Sequence, residues 1–158
     1  MLGKDLDDAE RHKRELKRRF RLLALIYKGL EKHSATEKTG EIMHGVLMSG
    51  GQVFFRGFTL LGVDGDLTDF AMVYKKFEAN NVVFDVIEES RQKFEIVLKR
   101  CLIYEVFAEL GIGDLTRWIC DIAVDYFEDY HPKIEYVKDR MLARGNDTCH
   151  EVFTWRAQ

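Results

Sequence analysis

The hydrophobic positions of the chain keep a helical period as far as about residue 80 and then change. From Asp5 to about His33, Leu16, Phe20, Leu23, Tyr27 and Leu30 recur at three- and four-residue steps with charges between them. That is the pattern of an amphipathic helix. Ser34-Ala35-Thr36-Glu37 has the spacing of a capping box and predicts a second helix, through Ile42, Val46, Val53 and Phe54 towards Leu61. Gly45, Gly50, Gly51 and Gly57 fall inside it. Each mid-helix glycine costs about 1 kcal/mol relative to alanine, so the pattern predicts either a break near Gly50-Gly51 or a neighbour packed very close there. Gly62-Val63-Asp64-Gly65-Asp66 is turn chemistry. Asp66 then caps a third helix from Leu67 to about Ala79, ended by Asn80-Asn81.

At Val82 the period falls to two. Val82–Glu88 and Phe94–Leu98 flank Glu89-Ser90-Arg91-Gln92 and predict a β-hairpin. A short helix follows Cys101 and is closed by Gly111-Ile112-Gly113. Asp114 is placed as the cap of the next helix, whose core stripe is Leu115, Trp118, Ile119, Ile122 and Tyr126 and which stops at His131-Pro132. Ile134–Met141 and Cys149–Trp155 form a second strand pair around Gly145, with Cys149, Glu151, Phe153 and Trp155 on one face. The predicted fold class is α+β: N-terminal helices, then an antiparallel sheet of about four strands in two hairpins, with two helices inserted between them. One domain is expected, a helical scaffold over 5–80 and a cysteine-containing α+β part over 82–156.

Composition narrows the functional classes. The 158 residues suit one domain, 46% hydrophobic and 32% charged, with a net charge of −3. That charge gives no electrostatic case for nucleic acid or an anionic membrane. The basic cluster Arg11–Arg21 reads as a solvated helix face. The start lacks the apolar core of a signal peptide, and no run approaches a membrane span. Three cysteines cannot all pair within one chain, which favours reduced thiols and a cytoplasmic location. The aspartates around Gly65 lack the ligand spacing of a calcium loop. His44 reads as a hydrogen-bonded histidine near the core.

The candidate chemistry lies in the last third. Cys101 sits at a strand–helix junction, where a helix N-terminus would lower its pKa, and Glu105 one turn later faces the same way as a proton carrier. Cys120 lies on a helix flank, with Asp121 bordering the cleft it would face. Cys149 opens the last strand, and His131 and His150 are the nearby imidazoles. The positions allow the three thiols to approach one another across the sheet, with Cys101 expected to be the most reactive.

Cys101 with Phe107, Leu110 and Gly111 at their spacing, Cys120 twelve residues before Pro132, and Leu142, Gly145, Asp147 and Cys149 carry a resemblance. Over roughly the last 60 residues, and more weakly before them, the chain resembles the L-2-amino-thiazoline-4-carboxylic acid hydrolase family. The layout is also similar to the small-molecule-binding domains associated with vinyl reductases, as a fold-level analogy. The first resemblance implies ring-opening hydrolysis of a cyclic amidine to an N-carbamoyl amino thiol. It implies Cys101, Glu105, Cys120, Asp121 and Cys149 as catalytic residues, His131, His150 and Tyr104 as substrate-binding residues, and no metal or cofactor. Departures bear on the substrate: Leu102 stands where the family commonly has proline, Ala123 at a frequent acidic position, Val137-Lys138-Asp139 for Glu-Arg-Thr, and His150 for an acid.

Two other classes remain open. One is a non-catalytic small-molecule-binding or accessory domain of the same fold. The other is a Zn²⁺ site of two or three thiolates with His131 or His150, which lacks the close-spaced Cys-x-x-Cys pair of such sites. The expected partner is a small-molecule substrate, with no nucleic acid or membrane; self-association is left open.

Overall fold

The structure, a computed structural model, describes residues 2–59, 66–128 and 131–156. Helices α1 (Leu2–His33), α2 (Thr36–Thr59) and α3 (Leu67–Glu78) come first. Strands β1 (Val82–Glu89) and β2 (Lys93–Cys101) form the first hairpin. Helices α4 (Leu102–Glu109) and α5 (Asp114–Glu128) follow, and β3 (Ile134–Arg140) and β4 (Cys149–Trp155) complete the sheet through a 3₁₀ turn at Leu142–Arg144. The sheet order is β1-β2-β4-β3, with all neighbours antiparallel. The chain is α+β, as the change of period predicts.

Placing β4 beside β2 positions the thiols. Leu98 pairs with Cys149, which brings the start of β4 next to the end of β2, where Cys101 stands. Alternation then turns Phe94, Ile96 and Leu98 of β2 and Cys149, Glu151 and Phe153 of β4 towards the helices. Leu67, Phe70, Ala71 and Tyr74 of α3 and Ile122 and Phe127 of α5 pack on that face. Ring centroids of Phe70 and Tyr136 lie 4.6 and 4.7 Å from Phe153. A second cluster joins Leu16, Ala24 and Tyr27 of α1 and Met43 of α2 to Val106 and Phe107 of α4 and to Ile112 and Leu115. Full burial of each large apolar side chain stabilises by about 1.5–3 kcal/mol.

Asp66 caps α3 as expected, its side chain accepting the Thr68 N–H at 2.8 Å. Helix α4 ends where Gly111 takes φ 67°, a left-handed conformation open to glycine, and Ile112 N–H reaches back to Phe107 O at 2.9 Å.

Four expectations change. Helix α2 is unbroken through Gly50, and nothing lies within 4 Å of where a Cβ would stand on Gly45 or Gly50. The close approach falls instead at Gly40, where a Cβ would sit 3.2 Å from the Trp118 ring. The buried face of α2 is Thr39, Met43 and half-buried Leu47, while Ile42 and Val46 are exposed. This helix carries apolar residues on more than one face, so periodicity alone did not select one. Asp114 is the first helical residue of α5, not its cap. His44 is exposed, its ring edge-on to Trp118 at 6.3 Å. Gly62–Gly65 and Leu61 lie outside the described residues, as do the side chains of Val53 and Phe54. Among the described residues no helix is long and apolar enough to cross a membrane.

Candidate functional site

The three cysteines come together. Cys101, Cys120 and Cys149 line one cavity of about 110 Å³ between the inner face of the sheet, α3 and α5. Its size is comparable to an apolar cavity of about 150 Å³ that holds benzene. Cys101 ends β2 and is the N-cap residue of α4, with extended φ and ψ and no side-chain capping hydrogen bond. The Leu102 N–H donates to Asn81 O at 2.8 Å, tying this junction to the turn before β1. Cys149 is held by its own loop, its Sγ accepting the Leu142 N–H at 3.3 Å. Cys120 enters from α5.

Burial governs the thiols. It pushes Cys101 up to about 12, against the opposing hydrogen bond from the Tyr104 amide, and Cys120 up to about 11. Cys149 is raised for the same reason. The expectation that the start of α4 would lower the Cys101 pKa is therefore overturned: desolvation outweighs the partial positive charge of a short helix. Of the three thiols, Cys101 is the one that feels the Glu78 carboxyl, whereas Cys120 and Cys149 feel Lys138 and Glu151.

A buried polar cluster completes the lining. The Lys138 ammonium lies 2.7 Å from Glu151 Oε1, and the Tyr74 hydroxyl donates to Glu151 Oε2 at 2.7 Å. Both members of the ion pair are buried, with side chains 7% and 3% exposed. Burial alone would lower the Lys138 pKa, but Glu151 and its neighbours outweigh it and hold the ammonium charged. Glu78, in the last turn of α3, has its carboxyl raised to about 7, first by desolvation and then by Glu151; Asn81 and Lys138 act against this. The hydroxyls of Thr116 and Tyr136 are buried in the lining without a hydrogen-bond partner among the described residues. Burial above all raises the Tyr136 pKa, and the Glu151 carboxylate adds to this through its charge and as a hydrogen-bonding neighbour, although the two groups do not reach good hydrogen-bond geometry.

The other expected site residues lie elsewhere. Glu105 turns away from the cavity to Arg100 and Lys13, at 2.9 and 2.8 Å, and Arg100 above all lowers its pKa to about 2. Asp121 pairs with Arg144 at 2.8 Å. His150 occupies the opposite phase of β4 and sits between Asp139 and Glu95, at 2.8 and 3.0 Å. Burial lowers its pKa, but the two carboxylates prevail and raise it. His131 stacks on Trp155 at 5.4 Å, and its Nδ1 accepts the Lys133 N–H. The Tyr104 ring is half-buried and does not line the cavity. Among the described residues, no three His, Cys, Asp or Glu side chains are placed to hold a metal ion.

Sequence reasoning missed Tyr74, Glu78, Thr116, Tyr136, Lys138 and Glu151 as site residues. A signal existed for two of them. Lys138 shares the inward phase of Ile134 and Tyr136 on β3, Glu151 shares that of Cys149 and Phe153 on β4, and the two are register partners. A lysine and a glutamate at facing inward positions mark a buried pair.

The fold and site define an α+β domain that encloses a small, thiol-lined cavity with an internal ion pair. The chain belongs to the L-2-amino-thiazoline-4-carboxylic acid hydrolase family, whose family model matches residues 14–153. The match thus extends well into the N-terminal helices. No curated protein matches the chain. Among solved structures, the phenol-responsive sensory domain of the transcription activator PoxR with phenol is similar at 13% identity and a TM-score of 0.48, covering 85% of this chain and 73% of that one. A trafficking protein particle complex subunit 3 from Naegleria fowleri, covalently bound to palmitic acid, is similar at 15% identity and a TM-score of 0.46, covering 89% and 97%.

Proposed function

We propose that the chain is a hydrolase that opens a small cyclic amidine, of the 2-amino-thiazoline carboxylate class, to an N-carbamoyl amino thiol. The observation that carries this reading is that Cys101 shares the cavity with Glu78, whose carboxyl is raised by desolvation to about 7. A thiol and a near-neutral carboxyl are a nucleophile and its proton acceptor.

Glu78 takes the Cys101 proton as Sγ attacks the amidine carbon, giving a tetrahedral adduct. The ring carbon–sulfur bond then breaks, and the departing thiolate takes that proton from Glu78. Water adds to the resulting S-linked isothiourea, giving a second tetrahedral adduct. That adduct expels the Cys101 thiol and leaves the N-carbamoyl group on the product. Glu78 replaces Glu105 and Asp121 as the proton carrier, because those two are committed to Arg100, Lys13 and Arg144.

The test is turnover of 2-amino-thiazoline-4-carboxylate, followed by release of free thiol. Cys101→Ser should lower kcat/KM by roughly a thousandfold or more, and Glu78→Gln by about a hundredfold or more. Unchanged turnover in Cys101→Ser would overturn the nucleophile assignment. The raised pKa of all three thiols favours a second reading, a binding domain without chemistry. Ligand affinity retained in Cys101→Ser, with no turnover in either form, would establish it.

A further inference from the structure

The lining of the cavity is unevenly charged. It carries two carboxyls, Glu78 and Glu151, and one ammonium, Lys138. Glu151 is fully engaged, with Lys138 on one oxygen and the Tyr74 hydroxyl on the other. Glu78 has only the Asn81 side chain beside it as a favourable neighbour, apart from the more distant pull of Lys138. A desolvated carboxylate without its own cation is costly. Two further residues of the lining, Thr116 and Tyr136, are 2% and 5% exposed; neither hydroxyl makes a well-formed hydrogen bond among the described residues, and that of Tyr136 has the Glu151 carboxylate as its neighbour. Buried hydroxyls in native proteins are nearly always satisfied, so an orphaned pair lining a cavity points to an occupant. Each can accept a hydrogen bond from an N–H group.

We propose that the cavity binds its ligand as a planar cation, an amidinium or guanidinium, with the Glu78 carboxylate as its counter-charge and the Thr116 and Tyr136 hydroxyls accepting its remaining N–H groups. A planar cation with several N–H donors meets all three needs at once, as a neutral ring or an anion does not. The cavity volume suits a five-membered ring. This deepens the hydrolase reading and uses the same cavity, but it concerns ground-state recognition and needs no turnover. Glu78 is assigned as the residue that selects the charge of the ligand. The groups that face it are Glu151 from β4, Lys138 from β3, Tyr74 from its own helix α3, Asn81 from the turn after α3 and Cys101 at the end of β2.

The experiment compares two rings of one size by calorimetry at about pH 7.5: 2-aminothiazoline, a cation, and thiazolidin-2-one, its neutral carbonyl counterpart. The wild-type chain should prefer the cation by roughly tenfold or more. Glu78→Gln should bring that ratio close to one, chiefly by weakening the cation. Near pH 7, binding of the cation should release about half a proton per site as Glu78 ionises, read from buffers of different protonation enthalpy; the neutral ring should release none. Equal binding of the two rings by the wild-type chain, or binding of neither, overturns the inference without recourse to any variant. Selective cation binding with no hydrolysis of the amino-thiazoline carboxylate leaves the inference standing and removes the hydrolase. Hydrolysis inhibited equally by both rings does the reverse.

Discussion

Glu78→Gln should stabilise the protein at alkaline pH. The Glu78 carboxyl is raised from 4.5 to about 7, chiefly by desolvation. Its folded pKa lies above its unfolded one, so the folded state holds the proton longer. The stability this contributes is fully present below about pH 4.5 and is lost as pH rises through about 7. At about 1.36 kcal/mol per pH unit, the wild-type chain should lose about 3 kcal/mol across that window through this residue. Glutamine does not ionise and keeps an amide oxygen for Asn81, so the variant should not suffer this loss. Urea unfolding of both chains at about pH 4.5 and pH 8.5 gives the test as a difference of differences, in which the titration of groups common to both cancels. The variant should gain about 3 kcal/mol relative to wild type between the two conditions. A relative gain below about 1 kcal/mol would show that the Glu78 carboxyl is not desolvated as described, and the stability cost assigned to this site residue would be refuted.

Two further outcomes follow from the same lining. With Cys101 raised to about 12 and Cys120 to about 11, alkylation of the empty protein at about pH 8 should label Cys120 before Cys101. Cys101 should react on the order of a thousandfold more slowly than an unperturbed thiol; labelling at the free-thiol rate, followed by mass spectrometry, would refute the burial argument. Lys138→Met leaves Glu151 buried without its cation and should cost about 3–5 kcal/mol. That lowers Tm by on the order of 10 °C, whereas Lys138→Met with Glu151→Leu should lie nearer wild type than the single variant. A single variant within 1 kcal/mol of wild type would show the pair to be solvated.

What could be read in the sequence tracks how locally each feature is encoded. The strands were legible because Val82–Leu98 and Cys149–Trp155 alternate at period two, and the Asp66 cap because a side chain satisfies an amide two residues on. The approach of the thiols was legible once the hairpins were placed, since one register pair, Leu98 with Cys149, brings two of them near. The acid–base partners were not. Glu105 does lie one turn beyond Cys101, but it is turned away by Arg100, five residues earlier, and by Lys13, 92 residues earlier; the first partner is local, and the second is visible only in the folded chain. Glu78 was overlooked for the converse reason: an acid in the last turn of an amphipathic helix reads as solvated, and only the sheet folded over it removes the water. The exposed side of α2 was misread because helical period cannot rank two apolar faces. The position of Trp118 against Gly40 decides between them.

The high thiol pKa values and the hydrolase reading are compatible if the ligand itself supplies the activation. A cation about 4 Å from a buried group interacts by about 4 kcal/mol at an effective dielectric constant of about 20, or about three pKa units. An amidinium seated beside Glu78 would offset the carboxylate charge that otherwise helps to raise the Cys101 pKa, and would so ease the loss of the thiol proton. The same charge pulls Glu78 down from about 7, so the carboxylate is ionised when the thiol must give up its proton. Hydrolysis would convert the amidinium to a neutral N-carbamoyl group, so the activating charge would be lost on turnover. An empty cavity then holds protonated thiols, which are poor targets for oxidants and alkylating agents. A permanently lowered Cys101 pKa, as the start of α4 would have given at an exposed position, would have made the free protein reactive towards any small electrophile able to enter. On the proposed mechanism, burial with ligand-borne activation would restrict reactivity to rings that carry the charge, so the desolvation that weakens Cys101 as a nucleophile would also make it selective.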